Sequence, residues 1–530
     1  MILNEVIMTN RKHFTRFIGL GLLCLIFMPA LAVSAQSNPE IIRWLAPQYI
    51  AQGWFPSISV DETDSVYIGW HGGTDDNELL DLLWLDVLRP GETFGDPVDV
   101  VFAAEGGYTV RSALDVSTDG VVYAMYRTHT SHALSNAPAE RADSAQEWKQ
   151  VAHFQNAAYY LDMVVDRNNV IHAISSEQGV NLQIIDTGKL AENALRERFP
   201  CAFCSDLIYR RSADGGRTWT SPINLSESID GSERPDIFEG HSGRLYVTWD
   251  EGADWYISQG EYQDVRFIYS DDGGQSWSDV IILSGNELRH LHPTQFSLTE
   301  MNNGNLMAVW RYGLDTDRRI YFQISEDLGQ TWTEPEPIPY IVADNVQDSE
   351  LDKYELITDL TGAVHLFAVG FDEASLQGPA LYHITYIQGS WLIPSRIYYD
   401  PDVKRPEWPS AAVGPRNDLH VAWFVRVGDG VNAADVGTLQ VYYSSRTPTL
   451  PDRPVLVAYA PTATPVPLPT RIPTFEPTAT ILPTLAPLDT NTNVKINRDQ
   501  YASQTLVGAL LAVGLLCGGL LVVTGFRRRR

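Results

Sequence analysis

Ser212–Pro222 reads "SADGGRTWTSP", and the phrase returns twice. Ser270–Asp279 is "SDDGGQSWSD" and Ser325–Pro335 is "SEDLGQTWTEP". The shared pattern is Ser-x-Asp-x-Gly-x-Thr/Ser-Trp. Each copy follows an apolar strand-like run ("DLIYRR", "VRFIYS", "IYFQIS"), and the first two lead into another short one ("INL", "VIIL"). The residue types suit a turn. Asp214, Asp272 and Asp327 can accept hydrogen bonds from nearby backbone N–H groups. Gly216, Gly274 and Gly329 tolerate positive φ. Trp219, Trp277 and Trp332 can fold back over the hairpin and bury an aromatic face. Weaker echoes carry Asp143 with Trp148, and Trp391 in "YIQGSW".

A longer unit surrounds the phrase. Period-two runs flank Asp/Asn/Gly turns in "FPSISVDETDSVYIGW", "RSALDVSTDGVVYAMY", "LDMVVDRNNVIHAIS", "RPDIFEGHSGRLYVTW", "HPTQFSLTEMNNGNLMAVW", "YELITDLTGAVHLFAV" and "WPSAAVGPRNDLHVAW". Alternation around such turns predicts β-hairpins. Hairpins recurring every 50 to 70 residues or so predict the blades of a β-propeller. The fold class expected is therefore all-β, with the phrase marking the turn between the third and fourth strands of a blade. "WLAPQYIA" ahead of Phe55 is placed to supply the last strand of the final blade and close the ring.

The three full copies resemble the Asp box of the sialidase superfamily, also called the bacterial neuraminidase repeat. The resemblance extends with the hairpins over residues 55–446. It implies an Asp-box propeller; sialidases have six blades, whereas seven units are counted here, so one unit is an added blade or an insertion. It also implies that the Asp boxes are structural and lie away from any active site.

The opposite face is then the functional mouth. In an up-and-down blade it carries residues just before the first strand and just after the second. Those positions are His71, Arg111, Arg127, Glu233, Arg234, Asp250, Glu251, His292, Arg311, Asp372 and Arg426. Arginine binds carboxylates through a planar two-pronged fork. The family uses three arginines on the substrate carboxylate, an Asp acid/base and a Tyr–Glu nucleophile pair, so the resemblance implies Arg111, Arg234 and Arg311 as a rebuilt clamp, with Glu233 and Asp250 on the rim. Tyr354 with Glu355, or Tyr312, are the nucleophile candidates. The match departs at the start: members begin with Phe/Tyr-Arg-Ile-Pro, whereas "GWFPSISVD" has Phe55 and Pro56 but no Arg. Ligand binding is therefore the leading expectation and exo-sialidase activity the alternative. Trp70, Trp249, Trp310 and Trp423 end second strands and are expected in the core; Trp54 and Trp408 precede first strands and are expected at the exposed mouth.

Composition narrows the partners. The chain has 530 residues, 38 Lys+Arg against 66 Asp+Glu and a formal charge of -28. That balance argues against nucleic acid, whose phosphates need a basic surface. Arg11, Lys12 and Arg16 precede "FIGLGLLCLIFM" and "LAVSAQ", which reads as a signal peptide over 1–35. Residues 36–446 form the propeller, 447–504 a Pro/Thr-rich stalk, 505–526 an uncharged span long enough to cross a bilayer, and 527–530 a tail of four arginines left in the cytoplasm. The expected location is the cell membrane, single-pass, propeller outside, with lipid and a glycan or protein ligand as partners. Cys201 and Cys204 in "CAFC" lack the further ligands that zinc needs, and a local disulfide is expected between them. No metal or other cofactor is expected.

Overall fold

A computed structural model describes residues 44–74, 77–100, 111–127, 131–156, 158–178, 205–228, 231–252, 264–283, 293–312, 318–344, 353–401, 405–427 and 439–446. The segments expected to be signal, stalk, membrane span and tail, together with Cys201, Cys204 and His292, lie outside the described residues. Among the described residues no helix is long and apolar enough to cross a membrane.

Seven antiparallel sheets follow one another along the chain, each led by one of the seven hairpin units. The inner strands of blades 1 to 5 are Trp54–Val60, Ser112–Val116, Ala158–Val165, Ser232–Glu239 and Pro293–Glu300. Blade 6 divides its first position between Ile341–Ala343 and Glu355–Thr358. Blade 7 contains Arg405–Val413, Leu419–Arg426 and Leu439–Arg446, and its fourth strand is Gln48–Gln52 from the other end of the propeller. Gln48 pairs with Tyr443 and Gln52 with Gln440. The ring is closed as the sequence predicts, with seven blades.

Stacking blade faces buries the second strands on both sides. Every residue of Leu245–Glu251 and of Leu306–Tyr312 is buried. Trp70, Trp249, Trp310 and Trp423 close these strands and are fully buried, as expected of core residues. Trp54 is a correction. It is 3% exposed and packs with Phe55, Trp70 and Phe424 between blades 1 and 7, so it is not at the exposed mouth.

Polar side chains join neighbouring blades through the inner strands. The Asp115 carboxylate accepts from Val165 N at 2.7 Å, and Asp162 from Ile237 N at 2.8 Å. Asp250 accepts from Gln295 N at 3.1 Å, and Ser297 Oγ from Leu356 N at 3.1 Å. Each satisfies a backbone donor of the next blade that strand pairing leaves free. Many acids have local duties as well. Asp61, Asp166 and Asp359 each accept two backbone N–H groups in the first hairpin turn of their blades.

The three Asp boxes share one geometry. Thr218 N donates to Asp214 Oδ1 at 2.9 Å and Thr218 Oγ1 to Oδ2 at 2.6 Å. Ser276 repeats this on Asp272, and Thr331 on Asp327. These donors stabilise the charged carboxylate and hold Asp214 and Asp272 down to about 2, and Asp327 below its ordinary value. The tryptophans go further than their own hairpins. Trp219 meets Phe154, Trp277 meets Tyr209 and Trp332 meets Phe267, each edge-on and each on the preceding blade. The Asp143 echo differs: its carboxylate pairs with Arg89 at 2.7 Å.

Candidate functional site

The mouth is built on strained backbone. Phe55, Arg111, Arg234, Gln295 and Trp408 stand at the mouth ends of the inner strands of blades 1, 2, 4, 5 and 7 with φ of +47°, +91°, +50°, +59° and +56°. Large residues avoid this region, at a cost on the order of 1–3 kcal/mol each. Register shifts follow at four of the five, all but Arg111: between Trp54 and Ser57, Glu233 and Asp236, Thr294 and Ser297, and Glu407 and Ser410. The bulges break the alternation and re-aim side chains. Such outliers cluster where function holds a strained conformation in place.

Arg111 and Arg234 come together at Tyr160. The Arg111 guanidinium carbon is 3.7 Å from the centroid of the Tyr160 ring, 4.8 Å from that of Phe55 and 5.6 Å from that of Trp408. The guanidinium carbon of Arg234 is 5.9 Å from the Tyr160 ring. Its Nη1 donates to Asp250 Oδ2 at 3.0 Å. Burial opposes the charge on Arg234, but Tyr160, Asp250 and Glu233 outweigh it and hold its pKa above the ordinary value. Glu233 is buried and pairs in the sheet with Asp250.

Arg311 lies on the second strand of blade 5, opposite Thr294. It is 4% exposed, and its Nε has no hydrogen-bond partner. Nearby Gln295 donates its backbone N–H to Asp250, which links this strand to the Arg234 pair. Blade 6 adds Lys353, whose ammonium lies 5.5 Å from the Trp408 centroid and bonds Glu355 at 2.6 Å. Burial raises the Glu355 pKa, Asp236 adds to the rise, and Lys353 works against it. Tyr354 is 3% exposed and Tyr312 is 5% exposed.

Other expected mouth residues have other roles. His71 is fully buried, and burial brings its pKa down to about 3. Glu251 accepts from Ser232 Oγ and Trp249 Nε1, and Arg426 is ion-paired with Glu407. Asp372 caps Ser375 N at 2.7 Å, and Arg127 ends the second strand of blade 2. Sequence reasoning missed Tyr160, Gln295 and Lys353. The residue-before-proline pattern at hairpin starts marks Phe55, Arg234 and Trp408 but none of these three.

A cavity of about 1130 Å³ opens among the first hairpin turns on the Asp-box side and reaches inward to Asp236 and Glu355. The two arginines that line it are ion-paired, Arg167 with Glu239 and Arg244 with Asp271. The convergent arginines at the mouth form the candidate site.

A BNR repeat-like domain matches residues 189–367, the stretch that holds all three Asp boxes. The propeller is sialidase-like. A sialidase of Bacteroides fragilis is 28% identical over 136 residues, covering 25% of this chain and 23% of that protein. A sialidase of Clostridium perfringens is 22% identical over 214 residues, covering 34% and 50%. The chain thus spans half or less of the length of these curated relatives. The intramolecular trans-sialidase of Ruminococcus gnavus, solved with oseltamivir carboxylate, aligns with a TM-score of 0.40 at 13% identity, covering 76% of this chain and 94% of that one. The sialidase-like propeller departs from its motif at blade 1. Phe55 stands in the strained position, and the guanidinium over its ring is Arg111, from blade 2.

Proposed function

We propose that this protein is a cell-surface glycan-binding propeller whose mouth takes an acidic sugar by its carboxylate. The observation that carries the reading is the approach of Arg111 and Arg234 to one tyrosine, Tyr160, in a chain of net charge -28. Convergent guanidiniums on a rigid, strained frame are suited to a planar anion. Arg311, buried without an acidic partner among the described residues, is the third member of the set. Asp250 and Glu233 hold Arg234 in place, and the Trp408 ring offers an apolar wall to a sugar face.

Binding is favoured over hydrolysis because Glu355 is engaged by Lys353 and Arg234 by Asp250. Exo-sialidase activity is the second reading, supported by the relatives and by Tyr354 at the start of the blade 6 inner strand. Turnover of a fluorogenic sialic-acid glycoside at pH 4 to 8 separates the two. The binding reading expects none from folded protein. Turnover lost in Arg111→Ala, Arg234→Ala and Arg311→Ala would establish the enzyme instead. Residues 1–35 direct export, 447–504 hold the propeller off the bilayer and 505–526 anchor it; retention of the intact protein in membranes after alkaline extraction tests that arrangement.

A further inference from the structure

Two histidines on blade 6 bridge a buried acid to a buried arginine on the closing blade. Asp359 Oδ2 lies 3.2 Å from His365 Nε2. His365 Nδ1 lies 2.8 Å from His383 Nε2, and His383 Nδ1 lies 3.2 Å from Arg446 Nη1. His365 is 3% exposed, His383 2% and Arg446 9%. Asp359 also accepts from Asn417 Nδ2, in the first turn of blade 7, at 3.0 Å.

Proton positions follow from the ends. Arginine only donates, so His383 Nδ1 accepts and its proton is on Nε2. That proton is donated to His365 Nδ1, which leaves the His365 proton on Nε2, facing Asp359. With both rings neutral the chain is complete. No donor then faces a donor along the chain, and a cation and an anion stand at its ends. One more proton breaks it. On His383 it occupies Nδ1 and points at the guanidinium. On His365 it occupies Nδ1, which turns the His383 proton onto Nδ1 with the same result. Either way a donor faces a donor, and in the first case a cation faces a cation.

The chain ends where the ring closes. Arg446 is the last residue of the strand that pairs with Gln48–Gln52. Trp44 lies edge-on against His383 at 5.2 Å, Leu45 N donates to Ser445 O, and Ser444 Oγ donates to Leu45 O. We propose that Asp359, His365, His383 and Arg446 form an acid-sensitive latch that holds the ring closure and releases it on acidification.

The remaining neighbours do not offset the added charge. His383 otherwise meets the Thr385 hydroxyl and the Trp44 and Phe367 rings; His365 meets Thr385. Burial, then His365 and Arg446, push the His383 pKa well below its ordinary value. Burial and Arg446 lower that of His365 against the pull of Asp359. Neutral rings therefore stabilise the closed state above their unfolded value of about 6.5, and that stability is lost as pH falls below it.

Hydrogen–deuterium exchange of the intact protein between pH 7.5 and 5, corrected for intrinsic rates, tests the latch. Opening that frees one ring raises exchange of residues 44–52 and 439–446 about tenfold per pH unit below about 6.5, while blades 2 to 5 stay protected. His383→Phe keeps a ring against Trp44 and removes the proton site, so the acid slope at the closure flattens. Arg446→Met keeps both rings and removes the opposing cation, so the slope becomes shallower; it reports if the first variant does not fold. A closure that stays protected to pH 5, exchange rising equally in every blade, or an acid slope unchanged in a folded variant would overturn the proposal.

Discussion

Gly274 shows how much a single position carries. Its φ is +77°, and a Cβ there would lie 1.8 Å from the Tyr209 hydroxyl of the preceding blade. Gly273 has φ +66° and nothing within 4 Å of the same construction. Both alanine variants meet left-handed strain of about 1 kcal/mol, but only Gly274→Ala meets a clash as well. Urea denaturation is expected to show Gly274→Ala destabilised by about 2 kcal/mol more than Gly273→Ala. The adjacent Asp272 gives a pH prediction. Hydrogen bonds from Ser276 lower its folded pKa to about 2. Its contribution is therefore present above its unfolded value of about 4 and is lost as pH falls through the folded one. The stability difference between the protein and Asp272→Asn should shrink as pH drops from about 4 to 2. A difference that stays constant would place the contribution elsewhere.

At the scale of strands and turns, the hairpins were legible because their chemistry is local. An Asp two residues before a Gly and five before a Trp makes its own turn, whatever blade holds it. The mouth was less legible because its geometry comes from bulges. Tyr160 lies within the register shift between Ala158 and Leu161, so period-two counting does not give its direction. Trp54 was misplaced for the same reason: it starts a bulged strand whose end packs against blade 7. The inter-blade tryptophans followed from position alone. Trp310 is fully buried among Tyr246, Phe267 and Leu298 on adjoining strands. Trp310→Ala should cost about 3–5 kcal/mol, whereas Trp332, partly buried on the Asp-box face, should cost less. Equal losses in thermal unfolding would contradict this account of where the blades adhere.

For the whole molecule the decisive feature is closure. A propeller blade lacking its outer strand leaves an unpaired edge. Here residues 44–52 cover that edge across nearly the full length of the ring's sequence. Removing them is expected to lower the unfolding midpoint and split one transition into two, blade 7 going first; a single transition at an unchanged midpoint would contradict that role. The charge has an organisation too. Many of the acids cap turns or join blades, and guanidiniums gather at one mouth. The measurement that tests this most directly is calorimetric titration of the protein with sialyllactose, with lactose as the neutral control. Sialyllactose alone is expected to bind, at least about tenfold more weakly to Arg111→Ala and to Arg234→Ala. Equal binding of both sugars, no binding of either, or folded arginine variants that bind undiminished would contradict it.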